Sequence, residues 1–502
     1  MFRRLGTLKP QSRDSVVAVA VGAVGYAPEL LFRRKLPITV PYGGKGCFIT
    51  KGYCRLFLWR IPSWGFNTPY FMPLRRIFIT LAFAAATLWS VAAPPPNILL
   101  IVSDDHHWGD YSFMGHPHIK TPHLDRLTAQ SLTFSRGYVP SSLCCPSLAS
   151  IITGLYPHQH KVTSNDPPRP ADIKPAAFAK SRAFLDGREV MSKHIDAAPT
   201  LPRLLAQRGY LSLQTGKWWQ GDFHRGGFTH GMTKGARHGD EGLDIGRKTL
   251  EPIYDFIGTA KKESKPFFVW YAPLMPHDPH TPPERLLAKY RDKTPSLHVA
   301  KYWAMVEWFD ETCGALLAHL DKEGLAENTI VAYVTDNGWI TNPDTGRYAP
   351  RSKQSPYDGG LRTPLMIRWP GKIAPQKSTA LASSLDLAPT LLAAAGLKPA
   401  PEMPGVNLLD EKALAARKTL FGECFTHNAV DLHKPAANLR WRWVIEGDWK
   451  LIVPAKQNEP DAPIELFNLA ADPHEMRNLA AAESTRVTKL RAQLDAWWLG
   501  MK

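Results

Sequence analysis

The sequence predicts an α/β fold with a large, mostly parallel central sheet, followed by a smaller C-terminal antiparallel sheet with a packed helix. The chain has 502 residues, enough for one large and one small domain. After residue 94, short apolar runs alternate with helical patterns, which is typical of parallel strands with helices on both faces. Near the end, RWRWVIEGDWKLIV predicts a hairpin that turns at Gly447-Asp448, and STRVTKLRAQLDAWWLG predicts an amphipathic helix over that sheet.

The N-terminal part has a different character. The formal net charge is +16, and residues 1–76 hold 13 lysines and arginines against only Asp14 and Glu29. The high pI therefore comes from a basic leader and not from a basic domain, which argues against a nucleic-acid-binding protein.

The stretch MPLRRIFITLAFAAATLWSVAA, from residue 72 onward, has the layout of a secretory signal. We expect residues 72–93 to be a signal peptide and residues 1–71 to be an unstructured extension upstream of the true start. The alternative is an N-terminal membrane anchor, although the apolar run is short for a membrane span. The expected mature protein is secreted or periplasmic, with no stable membrane association after cleavage.

Four cysteines follow the predicted signal: Cys144, Cys145, Cys313 and Cys424. Adjacent cysteines rarely bond to each other, and no zinc-type spacing is present, so one of the tandem thiols is a candidate for chemistry. Pro146 and Gly154 favour a helix over 146–153, whose positive end would lie beside both thiols. That position lowers a thiol pKa and also holds anions.

Four predicted strands end in polar clusters. Their carboxyl ends carry, in order, Asp104-Asp105, Gly216-Lys217, His277-Asp278 with His280, and Asp336-Asn337. In an open α/β sheet the ligand crevice lies beyond the carboxyl ends of the strands. The sequence therefore predicts that these clusters converge on one site.

The residue types at these ends indicate the ligand. Asp104, Asp105, Asp336 and Asn337 supply only oxygen donors, which suit a hard cation such as Ca²⁺ or Mg²⁺. Positive groups at Lys217, His277 and Lys353 would surround that ion. Such a site suits a sulfate or phosphate ester.

From about 97 to 480 the chain resembles a type I sulfatase of the alkaline-phosphatase-like superfamily. The resemblance is carried by NILLIVSDDHHWGD, CCPSLASIITGLYPHQH, TGKWW, APLMPHDPH, VTDNG, KQSPYDGGLRTPLMIRWPG and ELFNLAADPHEMRNL. It implies an alkaline-phosphatase-like sandwich, with a catalytic domain over 94–425 and a small α+β subdomain over 426–502. It also implies release of inorganic sulfate from a sulfated carbohydrate.

The resemblance further implies roles for single residues. Cys144, two places before Pro146, would be converted to formylglycine by a formylglycine-generating enzyme, and its hydrate would be the nucleophile. Ca²⁺, in preference to Mg²⁺, would bind the four oxygen-donor residues together with residue 144. Lys217 and Lys353 would neutralise the sulfate oxygens, and His277 or Lys353 would protonate the departing alcohol. His158 and His280 are expected to contact the rest of the substrate.

Two positions depart from the family pattern. Leu148 stands where the motif has arginine, and Trp219 stands where the family usually has histidine. Four histidines could take the place of the missing histidine, and two arginines could supply the missing charge: His158, His160, His224, His230, Arg351 and Arg362. These departures keep a catalytically impaired, secreted glycan-binding relative open as an alternative. A phosphate or phosphonate ester hydrolase of the same superfamily is the other.

Overall fold

The computed structural model describes residues 94–500. The predicted extension over 1–71 and the predicted signal peptide over 72–93 lie outside the described residues. Within 94–500, no helix is both long enough and apolar enough to span a membrane.

The central sheet has eight strands, in the order β5-β4-β6-β1-β7-β8-β2-β9. Its strands are β1 Asn97–Ser103, β2 Leu132–Phe134, β4 Leu211–Gly216, β5 His230–Gly231, β6 Phe267–Ala272, β7 Thr329–Thr335, β8 Leu365–Arg368 and β9 Gln376–Ser378. All neighbouring strands are parallel except where β8 pairs antiparallel with β7 and with β2. The expected mostly parallel sheet is confirmed. A separate small sheet pairs β3 Gly137–Tyr138 with β10 Ala382–Ser383.

The sheet is covered on both faces, as the residues of β1 illustrate. Ile98, Leu100 and Val102 face one apolar core, whereas Leu99 and Ile101 face the other. Because successive strand residues point to opposite faces, a strand buried on both sides must be apolar throughout.

Helices pack on both faces of the central sheet. They are α1 Pro122–Ala129, α2 Cys144–Thr153, α3 Pro157–His160, α4 Pro175–Phe178, α5 Arg182–Asp196, α6 Leu201–Ala206, α7 Glu251–Lys262, α8 Glu284–Leu287, α9 Leu297–Lys322, α10 Asp358–Leu361, α11 Leu387–Ala394, α12 Glu411–Ala416, α13 Pro435–Asn438 and α14 Ser484–Trp497. Side chains of α2, α6 and α11 pack in the first core, and those of α1, α7 and α9 pack in the second.

Helix α2 begins at Cys144, two residues before the predicted start. Gly154 follows its last residue with φ 68°, as expected of a glycine that ends a helix. The earlier start makes Cys144 the first helical residue instead of a neighbour of the helix.

The C-terminal sheet has four antiparallel strands, β11 Thr419–Phe425, β12 Leu439–Glu446, β13 Trp449–Pro454 and β14 Glu465–Asn468. Its first strand precedes the expected boundary at 426, so the sheet begins at Thr419. The predicted hairpin is present, since Glu446 pairs with Trp449 across the Gly447-Asp448 turn. Leu490 and Leu494 of α14 pack on one face of the sheet, and Tyr138, Val139 and Leu361 pack on the other.

Candidate active site

The polar ends of β1, β4, β6 and β7 meet at one edge of the central sheet. Lys217 Nζ lies 2.7 Å from Asp104 Oδ1 and 3.8 Å from Asp336 Oδ2. His277 Nε2 lies 3.3 Å from Asp105 Oδ2. The expected convergence of the strand ends is present in the structure.

Asp105 is at the centre of this cluster. Its Oδ1 accepts a hydrogen bond from Asn337 Nδ2 at 2.6 Å, and its backbone N–H donates to Asp336 Oδ1 at 3.0 Å. Lys353 Nζ, which comes from a loop outside the sheet, lies 2.7 Å from Asp105 Oδ2. Asp105 has φ 58°, a left-handed conformation that is uncommon for residues other than glycine, although aspartate tolerates it better than most.

The donor set fits a hard cation. Three buried oxygens have no hydrogen-bond partner among the described residues: Asp104 Oδ2, Asp336 Oδ2 and Asn337 Oδ1. Ligand atoms of Asp104, Asp105, Cys144 and His277 all lie within 4.8 Å of one another. A buried carboxylate or amide oxygen without a partner is costly, and oxygens of these types are the ligands that Ca²⁺ and Mg²⁺ bind.

The two adjacent cysteines have different surroundings. Burial would raise the pKa of the Cys144 thiol, but Lys217 and Lys353 lower it to about 7. Burial raises the pKa of Cys145 to about 11, and its Sγ accepts a hydrogen bond from Gln220 Nε2 at 3.2 Å. Cys144 lines the cavity above the cluster, so it is the thiol available for chemistry.

The cationic side chains differ in their ability to donate a proton. Burial opposes the charge on Lys353, yet Asp105 and other anionic neighbours raise its pKa well above the ordinary value. Burial and Lys217 lower the pKa of His277, whereas Asp104 and Asp105 raise it, with a net result of about 9. Protonated His277 is therefore the better acid of the two at neutral pH.

A cavity of about 310 Å³ opens above the cluster. Besides Cys144, His277 and Lys353, its lining includes Arg237, His238, Trp339, Arg347 and Gln354.

Sequence reasoning missed Arg237 and His238, which lie in TKGARHGDEG after the end of β4. The only signal there is a polar, glycine-rich segment following a strand. His238 and Asp240 both have positive φ, at 72° and 50°. The strained turn brings the His238 ring within 4.3 Å of Trp219 and 6.1 Å of His277, measured between ring centroids.

The side chains at the two positions that depart from the family pattern have different surroundings. Leu148 packs in the apolar core and is 2% exposed. Trp219 lines the cavity, and the guanidinium groups of Arg188 and Arg237 lie 5.2 and 4.9 Å from its ring centroid. The Trp219 side of the cavity therefore has two nearby guanidinium groups, one from α5 and one from the turn at 237–238.

The other expected replacements lie outside the cavity lining. Arg351 donates to the Glu475 carbonyl, and Arg362 stacks on Trp108. His160 bonds to Ser150, and His224 and His230 are exposed.

Neither expected substrate-contact histidine lines the cavity. His158 Nδ1 lies 2.9 Å from the buried Glu423 carboxylate, and its ring stacks on Trp498. His280 is 5.5 Å from Tyr302 between ring centroids, and burial lowers its pKa to about 4. His158 is therefore held by a carboxylate, whereas His280 has aromatic neighbours and its buried Nε2 has no hydrogen-bond partner among the described residues.

The loop that supplies Lys353 is held by the C-terminal sheet. Lys450 Nζ lies 2.9 Å from Asp358 Oδ1 and 2.9 Å from Glu475 Oε1, with all three side chains at most 1% exposed. Glu475 Oε2 accepts the Asp358 backbone N–H at 2.6 Å. Arg440 Nη1 donates to the carbonyl of Gln354, next to Lys353, at 3.2 Å.

The chain is similar to proteins of one known family. The family model described as "Sulfatase" matches residues 96–397, and the one described as "N-sulphoglucosamine sulphohydrolase, C-terminal" matches residues 346–498. Arylsulfatase A of Homo sapiens is 32% identical over 391 residues, covering 66% of this chain and 69% of the relative. N-acetylgalactosamine-6-sulfatase of Mus musculus is 30% identical over 414 residues, covering 73% and 76%.

A solved structure has the same fold. It is a complex with the substrate D-glucosamine-2-N,6-O-disulfate, and it superposes with a TM-score of 0.63 at 21% identity. The match covers 81% of this chain and 98% of that one.

Proposed function

Since this chain belongs to the sulfatase family and is a sulfuric ester hydrolase, we propose that it releases inorganic sulfate from a sulfated carbohydrate. The observation that carries the proposal is the placement of Cys144 at one cavity with Lys217, His277 and Lys353 around it. Two relatives support the carbohydrate class, because one is named for N-acetylgalactosamine 6-sulfate and one structure holds a disulfated glucosamine.

Asp104, Asp105, Asp336 and Asn337 would hold Ca²⁺ in preference to Mg²⁺. Their donors are all oxygens, and three of those oxygens lack a hydrogen-bond partner among the described residues. A bound dication supplies positive charge beside residue 144, which favours an anionic ester at that end of the cavity.

We further propose that Cys144 is converted to formylglycine by a formylglycine-generating enzyme. The modification supplies an oxygen nucleophile at the base of the cavity. Cys144 differs from Cys145 in two ways: the pKa of its thiol is lowered, and it is the first residue of α2. Leu148 is the untypical residue of the motif, and peptide mass spectrometry at residue 144 tests the modification directly.

The chain's own groups complete the reaction. Lys217 and Lys353 hold the sulfate oxygens through their charge, since both ammonium groups border the thiol position. His277 holds a proton at neutral pH and gives it to the alcohol oxygen as the sulfur–oxygen bond breaks. Asp278 Oδ1, 3.0 Å from His277 Nδ1, fixes the ring so that Nε2 faces the cluster.

The leader sequence supports an exported, secreted or periplasmic enzyme. Its basic, apolar and small residues follow one another in the order of a secretory signal.

A substrate screen tests the proposal. The protein is co-produced with a formylglycine-generating enzyme and assayed for release of sulfate from sulfated monosaccharides and oligosaccharides. The same sugars carrying phosphate esters are the comparison. We expect kcat/KM for the sulfate esters to exceed that for the phosphate esters by roughly a hundredfold or more, since the site must bind the two transition states differently. Matching values would favour the phosphate-hydrolase alternative, and carbohydrate binding without turnover would favour the impaired relative.

A further inference from the structure

A second cavity, of about 580 Å³, adjoins the one that contains Cys144. Its lining includes Arg169, Phe178, Phe184, Arg237 and Asn428. Arg237 lines both cavities, so one guanidinium group forms part of the wall between them.

The dividing wall is built from two short backbone segments. Asn165 and His427 line the first cavity, whereas Asp166 and Asn428, the next residue in each segment, line the second. The Asn165 N–H donates to the His427 carbonyl at 2.9 Å, which joins the segments. The two cavities therefore lie on opposite sides of these joined segments, as neighbours on the same part of the protein.

Arg237 is fixed in that wall. Its Nε and Nη2 atoms each lie 2.9 Å from a different oxygen of Asp166, a two-point contact that orients the guanidinium plane. Asp166 neutralises Arg237. Arg169 donates through Nη1 to the Ile173 carbonyl and has no carboxylate partner among the described residues, so its charge is the uncompensated one in the second cavity.

The remaining lining gives the second cavity a rigid floor. Phe178 and Phe184 meet edge to face, with ring centroids 5.2 Å apart, and only 6% and 4% of their surface is exposed. Arginine binds carboxylates and sulfates through paired hydrogen bonds, so Arg169 beside this floor is suited to an acidic group of a ligand.

We propose that the second cavity binds the saccharide unit next to the one that loses sulfate, and that this unit carries a carboxylate or a sulfate. The inference rests on the proposed function, and it makes the enzyme selective for acidic oligosaccharides over single sulfated sugars.

Binding measurements test the inference without turnover. The Cys144→Ser variant is titrated calorimetrically with N-acetylgalactosamine 6-sulfate and with a chondroitin 6-sulfate tetrasaccharide. A carboxyl-reduced tetrasaccharide tests the carboxylate of the neighbouring unit. A tetrasaccharide that keeps only the sulfate bound in the first cavity tests the sulfate of that unit. We expect Arg169→Ala to weaken tetrasaccharide binding by roughly tenfold or more, the value of one charge-assisted contact. Arg169→Lys should lose part of that affinity.

Arg182→Ala is the matched control, because Arg182 is 86% exposed and pairs with Asp186 on the outside of α5. It should bind both ligands as the parent does. The inference is overturned if the tetrasaccharide binds no tighter than the monosaccharide, or if Arg169→Ala weakens both equally. Failure of the parent enzyme to release sulfate from any of these sugars contradicts the proposed function instead, and the calorimetric result then stands on its own.

Discussion

The ammonium group of Lys450 lies 2.9 Å from the carboxylate of Asp358 in the interior of the protein. Lys450 belongs to the C-terminal sheet, and Asp358 begins the short helix that follows the Lys353 loop. The contact therefore joins the smaller sheet to the loop that delivers a cation to Asp105.

Replacing Lys450 should damage both stability and catalysis. Lys450→Met leaves the Asp358 and Glu475 carboxylates buried without their cation, which typically costs about 3–5 kcal/mol. We expect kcat to fall more than KM rises, because Lys353 loses its position. Denaturant unfolding and steady-state kinetics measure the two effects.

Lys489→Met is the matched control, since Lys489 is exposed and pairs with Glu446 in the same subdomain. It should change neither quantity appreciably. Full kcat in folded Lys450→Met would show that the C-terminal sheet does not position Lys353.

The two cysteines should differ in modification. We expect the peptide 141–154 to carry an aldehyde at residue 144 after co-production with the maturation enzyme. Cys145→Ala should keep the aldehyde and most of the activity, whereas Cys144→Ala should lose both. Peptide mass spectrometry and hydrazide labelling provide the readout. An unmodified thiol at 144 in protein from its native host would support the impaired alternative.

His277 should matter most for poor leaving groups. His277→Ala removes the proton donor, so we expect a loss of roughly 10²–10⁴-fold in kcat on alkyl sugar sulfates. The loss should be much smaller on aryl sulfates, whose leaving groups need little protonation. His280→Ala, at a neighbouring residue outside the cavity lining, should show no such dependence. Equal losses of His277→Ala on both substrate types would exclude this role.

Asp310 should make the fold less stable as pH rises. Burial raises its pKa to about 7, although the backbone N–H groups of Leu124 and His123 lower it. Its stabilising contribution is therefore complete below the unfolded pKa near 4 and is lost as pH rises through 7, by at most about 4 kcal/mol.

Asp310→Asn should remove that dependence, as measured by urea unfolding between pH 4 and pH 8. Asp321→Asn, at an exposed position of the same helix, is the control. An unchanged slope for Asp310→Asn would show that Asp310 does not titrate in this range.

The sequence is informative where a regular element ends in a polar residue of the candidate site. The buried strands before Asp104 and Asp336 are continuous apolar runs, so the fold and the convergence of their ends followed from topology. TLFGECF contains a glycine and a glutamate, so its pattern does not indicate that Thr419–Phe425 is the first strand of the C-terminal sheet. Only the packed structure shows that Glu423 pairs with His158 inside the protein.

The wall of the cavity was the least predictable part. Arg237 and His238 lie in an irregular turn, and their direction depends on backbone conformations that composition does not indicate. His158 was expected near the substrate from its closeness in sequence to Cys144. Its contact with Glu423 depends on a strand 265 residues away.

The most direct test of the proposed metal site is to measure calcium binding to the parent protein and to the Asp336→Ala variant. After chelator treatment, calorimetric titration of the parent should show that about one Ca²⁺ binds per chain. Carboxylate and amide oxygens are the ligands that Ca²⁺ takes in proteins. Asp336→Ala should show no binding at that site and no sulfate release. A variant that still binds Ca²⁺ and hydrolyses the substrate would mean that these strand ends do not form the metal site.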